Sequence, residues 1–237
     1  MTRPTVLLLP GLLCDEAVWA DQRVALSPVA QCIVPTYKSL ASIEEMARHV
    51  LALAPLDRFS LAGHSMGGRV ALEVMRLAPE RIERFALLDS GVAPLAAGAP
   101  GERERTQRLA LLRVAREQGM RAMGRQWARG MVHSSRLETP LFEKIIEMIA
   151  RNTPDDFEAQ ILALLARPDS GPVLAAVRCP TLLACGRQDA WSPLARHEDM
   201  QRLVPSSRLL AIEDSGHMTT MEQPTAVSRA LLDWLAA

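Results

Sequence analysis

The sequence predicts an α/β fold: a mostly parallel sheet of about six strands, helices on both faces, and a helical insertion. Three observations predict it. Apolar runs too short for helices alternate with helix-length amphipathic stretches. Most of those runs stop at Pro, Gly or Asp, residues that punctuate strands and start turns. One long central stretch, 93–178, has helical patterning alone. At 237 residues the chain suits a single domain with an inserted subdomain: 1–92 and 179–237 as the core, 93–178 as the insertion. With 49% apolar but only 4% aromatic residues, the core must be mostly aliphatic.

Thr5-Val6-Leu7-Leu8-Leu9 reads as a buried strand ended by Pro10-Gly11, and Glu16 to Leu26 include a helix carrying Trp19. Gln31 to Val34 is a second strand, stopped by Pro35. Ser42 and Glu45 have capping-box spacing and open a helix through Ala54. Phe59 to Ala62 is the next strand, and Arg69 to Ala78 a helix that Pro79 prevents from continuing. Phe85 to Leu88 is a strand with Asp89-Ser90-Gly91 at its carboxyl end. Ala93 to Gly101 is a Pro/Ala/Gly linker, followed by helices over Arg103–Gln118, Met120–Met131, Pro140–Arg151 and Pro154–Ala166. Alternation resumes with a strand over Thr181–Cys185, a helix over Pro193–Leu203, a strand over Arg208–Ile212 and a final helix over Pro224–Leu235.

Between the third strand and its helix lies Gly63-His64-Ser65-Met66-Gly67, a nucleophile-elbow pattern. A serine raised to the tip of a sheet needs a strained backbone, and the following helix must cross so closely that side chains at 63 and 67 would obstruct it. Serine also needs a base, and the base a carboxylate to hold its tautomer. Of the five histidines, His217 alone sits in a loop directly after the last strand. His49 lies mid-helix, His133 in the insertion, His197 on a helix, and His64 reads as packing within the elbow. Asp189 follows the penultimate strand, 28 residues before His217, hence on an adjacent loop. Asp89 and Asp214 compete with it: the first ends the strand after the elbow helix, the second lies three residues from His217. Two backbone N–H groups are expected as oxyanion donors, those of Met66 at the helix N-terminus and Leu12 after the first strand. All of these positions fall at the carboxyl ends of parallel strands, where such sheets bind ligands.

On Gly63-His64-Ser65-Met66-Gly67-Gly68, Asp189 and Gly216-His217, taken in that order, the chain resembles the α/β-hydrolase superfamily over essentially its whole length. The resemblance implies an α/β-hydrolase fold with a helical cap, no cofactor or metal, and a serine esterase or lactonase working through an acyl-enzyme. A C–C bond or acyl-thioester hydrolase with the same triad, and a ligand receptor on a hydrolase scaffold, are the alternatives. Two departures from the family's pattern stand out: Pro10-Gly11 occupies the place where many members carry His-Gly, and the sheet begins at the family's third strand.

Trp191 beside Asp189 and Met218 beside His217 are the expected contacts of a small or medium apolar acyl group. Nine arginines between Arg103 and Arg136 fall in the insertion; the chain has only two lysines, Lys38 and Lys144, so arginine enrichment is global, and a solvated helix face accounts for them more simply than recognition of an acidic substrate or carrier. Acidic and basic residues balance at 27 each, which speaks against a nucleic-acid or membrane-surface field. Cys14, Cys32, Cys179 and Cys185 have neither metal-ligand spacing nor disulfide density. Thr5–Leu9 is too short for a secretory core, so a cytoplasmic enzyme acting on a small-molecule ester, lactone or thioester is expected, its oligomeric state open.

Overall fold

A computed structural model describes residues 3–237. Strands β1 (Thr5–Leu9), β2 (Gln31–Ile33), β3 (Phe59–His64), β4 (Ile82–Leu88), β5 (Thr181–Gly186) and β6 (Arg208–Ile212) form one parallel sheet in the order β2-β1-β3-β4-β5-β6. The inner strands β3 and β5 are buried along their full length because helices cover both faces, whereas edge strands β2 and β6 are only partly buried. Helices α1 (Ala20–Leu26), α2 (Ile43–Leu53) and α3 (Met66–Leu77) lie between the first strands. The insertion after β4 contributes α4 (Ala99–Gln118), α5 (Met120–Trp127), α6 (Pro140–Ala150), α7 (Pro154–Leu165) and the short α8 (Gly171–Ala175). Helices α9 (Leu194–Leu203), α10 (Thr219–Glu222) and α11 (Pro224–Ala236) complete the chain.

Differences from the sequence reading have local causes. Helix α4 begins at Ala99, inside the expected linker, with Pro100 in its first turn, where a missing N–H costs nothing. Residues 16–26 split into a 3-10 turn, Glu16–Trp19, and α1, because the Asp15 carboxylate caps the Ala17 N–H at 2.9 Å and starts the chain in a tight turn. At Ser42 only half of the capping box forms. The Ser42 hydroxyl accepts from Glu45 N–H at 3.1 Å, but Glu45 reaches past it to the Ala41 N–H at 3.0 Å. A complete box lies instead at Thr153 and Asp156, ahead of α7.

The close crossing of α3 over the sheet positions everything that follows. Ser65 stands between β3 and α3 at φ 54° and ψ −117°, a backbone region hostile to a side chain. A Cβ at Gly63 would overlap the Gly67 carbonyl, and one at Gly67 the Leu9 carbonyl at the end of β1. Ser65 N–H still continues the ladder to the Leu88 carbonyl at 2.9 Å, so the strained residue is tied to β4 as well. Gly67→Ala should therefore destabilise the protein by about 3 kcal/mol or more, since backbone rather than a flexible side chain would have to yield. Urea unfolding of the variant, followed by circular dichroism, checks this; a midpoint equal to that of the parent would contradict the crossing.

Candidate active site

The loops after β3, β5 and β6 bring Ser65, Asp189 and His217 together. Ser65 Oγ lies 2.8 Å from His217 Nε2, and His217 Nδ1 lies 2.8 Å from Asp189 Oδ2. Because the carboxylate can only accept, Nδ1 carries the proton and Nε2 is left to accept from the serine hydroxyl. Asp189 also accepts from Trp191 N–H at 2.8 Å and Ser192 N–H at 2.9 Å through its other oxygen. Burial by itself would raise this carboxyl, but the His217 ring and the two N–H donors outweigh burial and hold it below the usual carboxylate range.

The two rival acids are placed elsewhere. Asp214 is exposed at a left-handed turn position, φ 52°. Asp89 is fully buried and accepts from Gly186 N–H at 3.0 Å and from the Thr219 hydroxyl, tying the end of β4 to the end of β5 and to the histidine loop. Burial, and then the charge of Asp189, push its carboxyl well above the usual range. His64 is more than elbow packing. Its Nε2–H donates to the His217 carbonyl at 2.8 Å, and Asp89 lies 3.5 Å from the same nitrogen. Burial first, then the His217 ring, press His64 down to about 4, so the ring is neutral at neutral pH and its contact with Asp89 is not an ion pair.

Met66 and Leu12 both line the space above Ser65. The Met66 N–H opens α3, where no carbonyl precedes it in the helix, and like the Leu12 N–H it makes no hydrogen bond among the described residues. The adjoining Leu13 N–H, by contrast, is taken by Gln160 Oε1 at 2.9 Å, and the Leu13 carbonyl by Asn152 at 2.9 Å. The insertion thus sets this loop from above.

A family model described as alpha/beta hydrolase family matches residues 6–230. The chain belongs to the alpha/beta hydrolase family. Among solved structures the hydrolase is similar to a thermophilic esterase from Thermogutta terrifontis, crystallised with malate, at 29% identity and a TM-score of 0.87 over 99% of this chain and 90% of that one. The enol-lactonase from Burkholderia xenovorans LB400 shares the fold, with a TM-score of 0.88 and 21% identity over 100% of this chain and 93% of that one. Among curated proteins it is 26% identical to one named "Putative carbamate hydrolase RutD", from Pseudomonas savastanoi pv. phaseolicola, over 99% of this chain and 94% of the relative. The hydrolase is an enzyme of this fold, and its relatives are named for work on small molecules. Among the described residues no helix is long and apolar enough to cross a membrane.

Glu222 is the residue that reading by sequence missed. One carboxylate oxygen accepts from Gly216 N–H at 2.9 Å and Met218 N–H at 3.2 Å, and the other from His133 N–H at 2.7 Å. It grips the His217 loop on both sides and pins the insertion to it. Met131, also in the insertion, accepts from the His217 N–H itself at 2.5 Å. The sequence signal was faint: an acid five residues after a loop histidine, with nothing nearby to pair it. The insertion therefore holds the histidine through backbone groups, an arrangement that no motif announces.

A cavity of about 1050 Å³ opens over Ser65. Trp191 and Met218 both line it. Trp191 stacks on Trp127 of α5 with ring centroids 5.5 Å apart and leans on the His217 ring at 5.1 Å, so sheet loop and insertion share one aromatic wall. Several insertion arginines face solvent and pair there: Arg121 and Arg125 with Glu143, Arg116 with Glu158, Arg129 with Glu138.

Two predictions follow from the burial of this block. Glu222→Ala leaves three N–H groups without their acceptor and should cost about 2–4 kcal/mol. Amide exchange at Gly216 and Met218 should accelerate well beyond that of β5; equal protection in variant and parent would remove Glu222 from this role. The second concerns pH. His64 and His197 are both pressed down to about 4 from an ordinary 6.5, chiefly by burial. The unfolded chain therefore binds more protons between those values, and stability present above about pH 6.5 is lost as pH falls toward 4. Each histidine should contribute on the order of 2–3 kcal/mol to that loss, and His197→Gln should flatten the fall in urea midpoint between pH 7 and 5.

Proposed function

We propose that this hydrolase cleaves a small or medium carboxylic ester or lactone through an acyl-enzyme on Ser65. The observation that carries the reading is the unbroken relay Ser65 Oγ, His217 and Asp189 at 2.8 Å for each step, beneath a cavity large enough for a small molecule. His217 Nε2 takes the serine proton as Oγ attacks the acyl carbon, and Asp189 stabilises the imidazolium that forms. The oxyanion is received by the free N–H groups of Met66 and Leu12, at one helix N-terminus and one strand end. His217 then protonates the departing alcohol, and a water activated by the same ring releases the acid and restores Ser65. No step draws on a cofactor or a metal.

In this reading residues 93–178 act as a cap that shapes the cavity, with Trp127, Trp191 and Met218 enclosing the acyl group. Relatives named as an esterase, an enol-lactonase and a carbamate hydrolase lend the reaction class support, and all three names concern attack at a carbonyl carbon bearing an oxygen or nitrogen leaving group. Four free thiols suit a reducing compartment, and a cytoplasmic location goes with them.

A fluorophosphonate probe should add a single label, on Ser65, and Ser65→Ala should abolish it while kcat on p-nitrophenyl butyrate falls by on the order of 10⁴–10⁶. Asp189→Asn should lose on the order of 10²–10⁴, because the amide favours the wrong tautomer, and Asp89→Asn much less. Labelling elsewhere, or full activity in Ser65→Ala, would sink the mechanism. A pre-steady-state burst with no turnover would point to a receptor.

A further inference from the structure

The cavity over Ser65 has a second, basic end. Arg69 of α3, Arg108 of α4, Arg167 after α7 and Arg196 of α9 all line it, and its acids are Asp89 and Glu104. Asp89 is fully buried, and its two oxygens are taken by the Gly186 N–H and the Thr219 hydroxyl. Glu104 is ionised, held down to about 2: burial would raise it, but Arg167 and Arg108 prevail. It is also fully used, receiving Arg167 at 2.7 and 2.9 Å and Arg108 at 3.0 Å. Arg69 and Arg196 have no carboxylate within 4.0 Å among the described residues. Arg69 gives one N–H to the Ala93 carbonyl at 2.8 Å; Arg196 gives to the Trp191 carbonyl at 2.9 Å and the Ser192 hydroxyl at 3.4 Å. Each guanidinium has five N–H donors, so most remain unspent.

The cluster is built rather than incidental. The Arg196 stem lies on Gly91, where a Cβ would stand 2.8 Å from its Cδ, so the bare backbone after β4 admits the side chain. Burial, and then the charges of Arg167 and Arg196, push Arg69 down to about 9, which leaves it protonated at neutral pH and repelled by its neighbours. An anion arriving there relieves that repulsion and meets two free forks. Arg69 stands in the first turn of α3, three residues and about 4.5 Å along the axis from Met66, which directly follows Ser65. Leu111, Val114 and Leu164 line the same cavity and supply apolar wall for a short hydrocarbon chain.

We infer that Arg69 and Arg196 form an acid-binding subsite, and that the ester or lactone cleaved at Ser65 carries a free carboxylate, as in a monoester or lactone of a short dicarboxylic acid. The inference rests on the hydrolytic reading of Ser65 for the word substrate, but the subsite itself is a matter of binding. Surface arginines such as Arg121 and Arg125, which share Glu143, have no part in it.

Binding is measured by calorimetry on Ser65→Ala, which cannot turn the ligand over, with monomethyl glutarate, monomethyl adipate and the neutral dimethyl esters as probes. The monoesters should bind about tenfold or more tighter than the diesters. That preference should collapse to within about twofold when Arg69→Gln and Arg196→Gln are added, and recover in part with Arg196→Lys, which keeps the charge and loses the fork. Equal binding of mono- and diesters, no binding of either, or a preference that survives both arginine changes overturns the subsite. Inorganic phosphate competing more tightly than the monoesters overturns the carboxylate assignment. If the double change prevents folding, the thermal shift of Ser65→Ala with monoester against diester decides alone. Turnover of p-nitrophenyl butyrate by the unaltered enzyme reports separately on the hydrolytic reading: turnover without monoester preference removes only the subsite, and preference without turnover removes only the reaction.

Discussion

The backbone of Ser65 is the constraint on which the rest depends. A non-glycine residue at φ 54° and ψ −117° persists only when its surroundings over-determine it. Here they do: β3 leads in, α3 leads out at backbone contact with Gly63 and with the end of β1, and the Ser90 hydroxyl donates to the Ser65 carbonyl at 2.8 Å. The strain is repaid by sheet pairing and core burial on either side. In return the hydroxyl stands at the N-terminus of a helix whose first N–H, that of Met66, makes no hydrogen bond among the described residues.

Around that point the protein buries several titratable groups and keeps its two buried histidines, His64 and His197, neutral. His64 and His197 are buried and uncharged at neutral pH, pressed there mainly by burial, and burial likewise pushes the Asp89 carboxyl well above the usual range. Asp189 stays ionised, because it collects three hydrogen-bond donors, the His217 ring among them. Asp89, accepting from the Gly186 N–H, serves as a hydrogen-bonding strut between the ends of β4 and β5. His217 Nδ1 meets the Asp189 carboxylate, which fixes its tautomer.

The insertion and the sheet build the site jointly. Gln160 and Asn152 set the loop of Leu12, Met131 and His133 brace the loop of His217, and Trp127 closes against Trp191. Arginines of the same insertion divide by direction: those facing out meet surface carboxylates in solvent, where a pair is worth little, and those facing in share one carboxylate and leave charge to spare.

What the sequence by itself determined is local. Continuous apolar runs ended by Pro or Gly mark strands covered on both faces; Gly63-x-Ser65-x-Gly67 marks the crossing because no other residue type fits there; strand-end placement orders Ser65, Asp189 and His217 along one edge. Each of these follows from spacing within a few residues or from the alternation of strand and helix. Tertiary structure alone decided which of three acids faces His217, that Glu222 grips its loop, that Gln160 reaches Leu13, and which arginines turn inward. Glu45 shows the limit even nearby, since its motif was right and its partner was one residue off. Those outcomes turn on contacts between residues as far apart as 147 and 153 positions, and on which side of a helix meets low polarity. A carboxylate or guanidinium has the same formula in solvent and in a cavity; only its surroundings decide its charge and its partner.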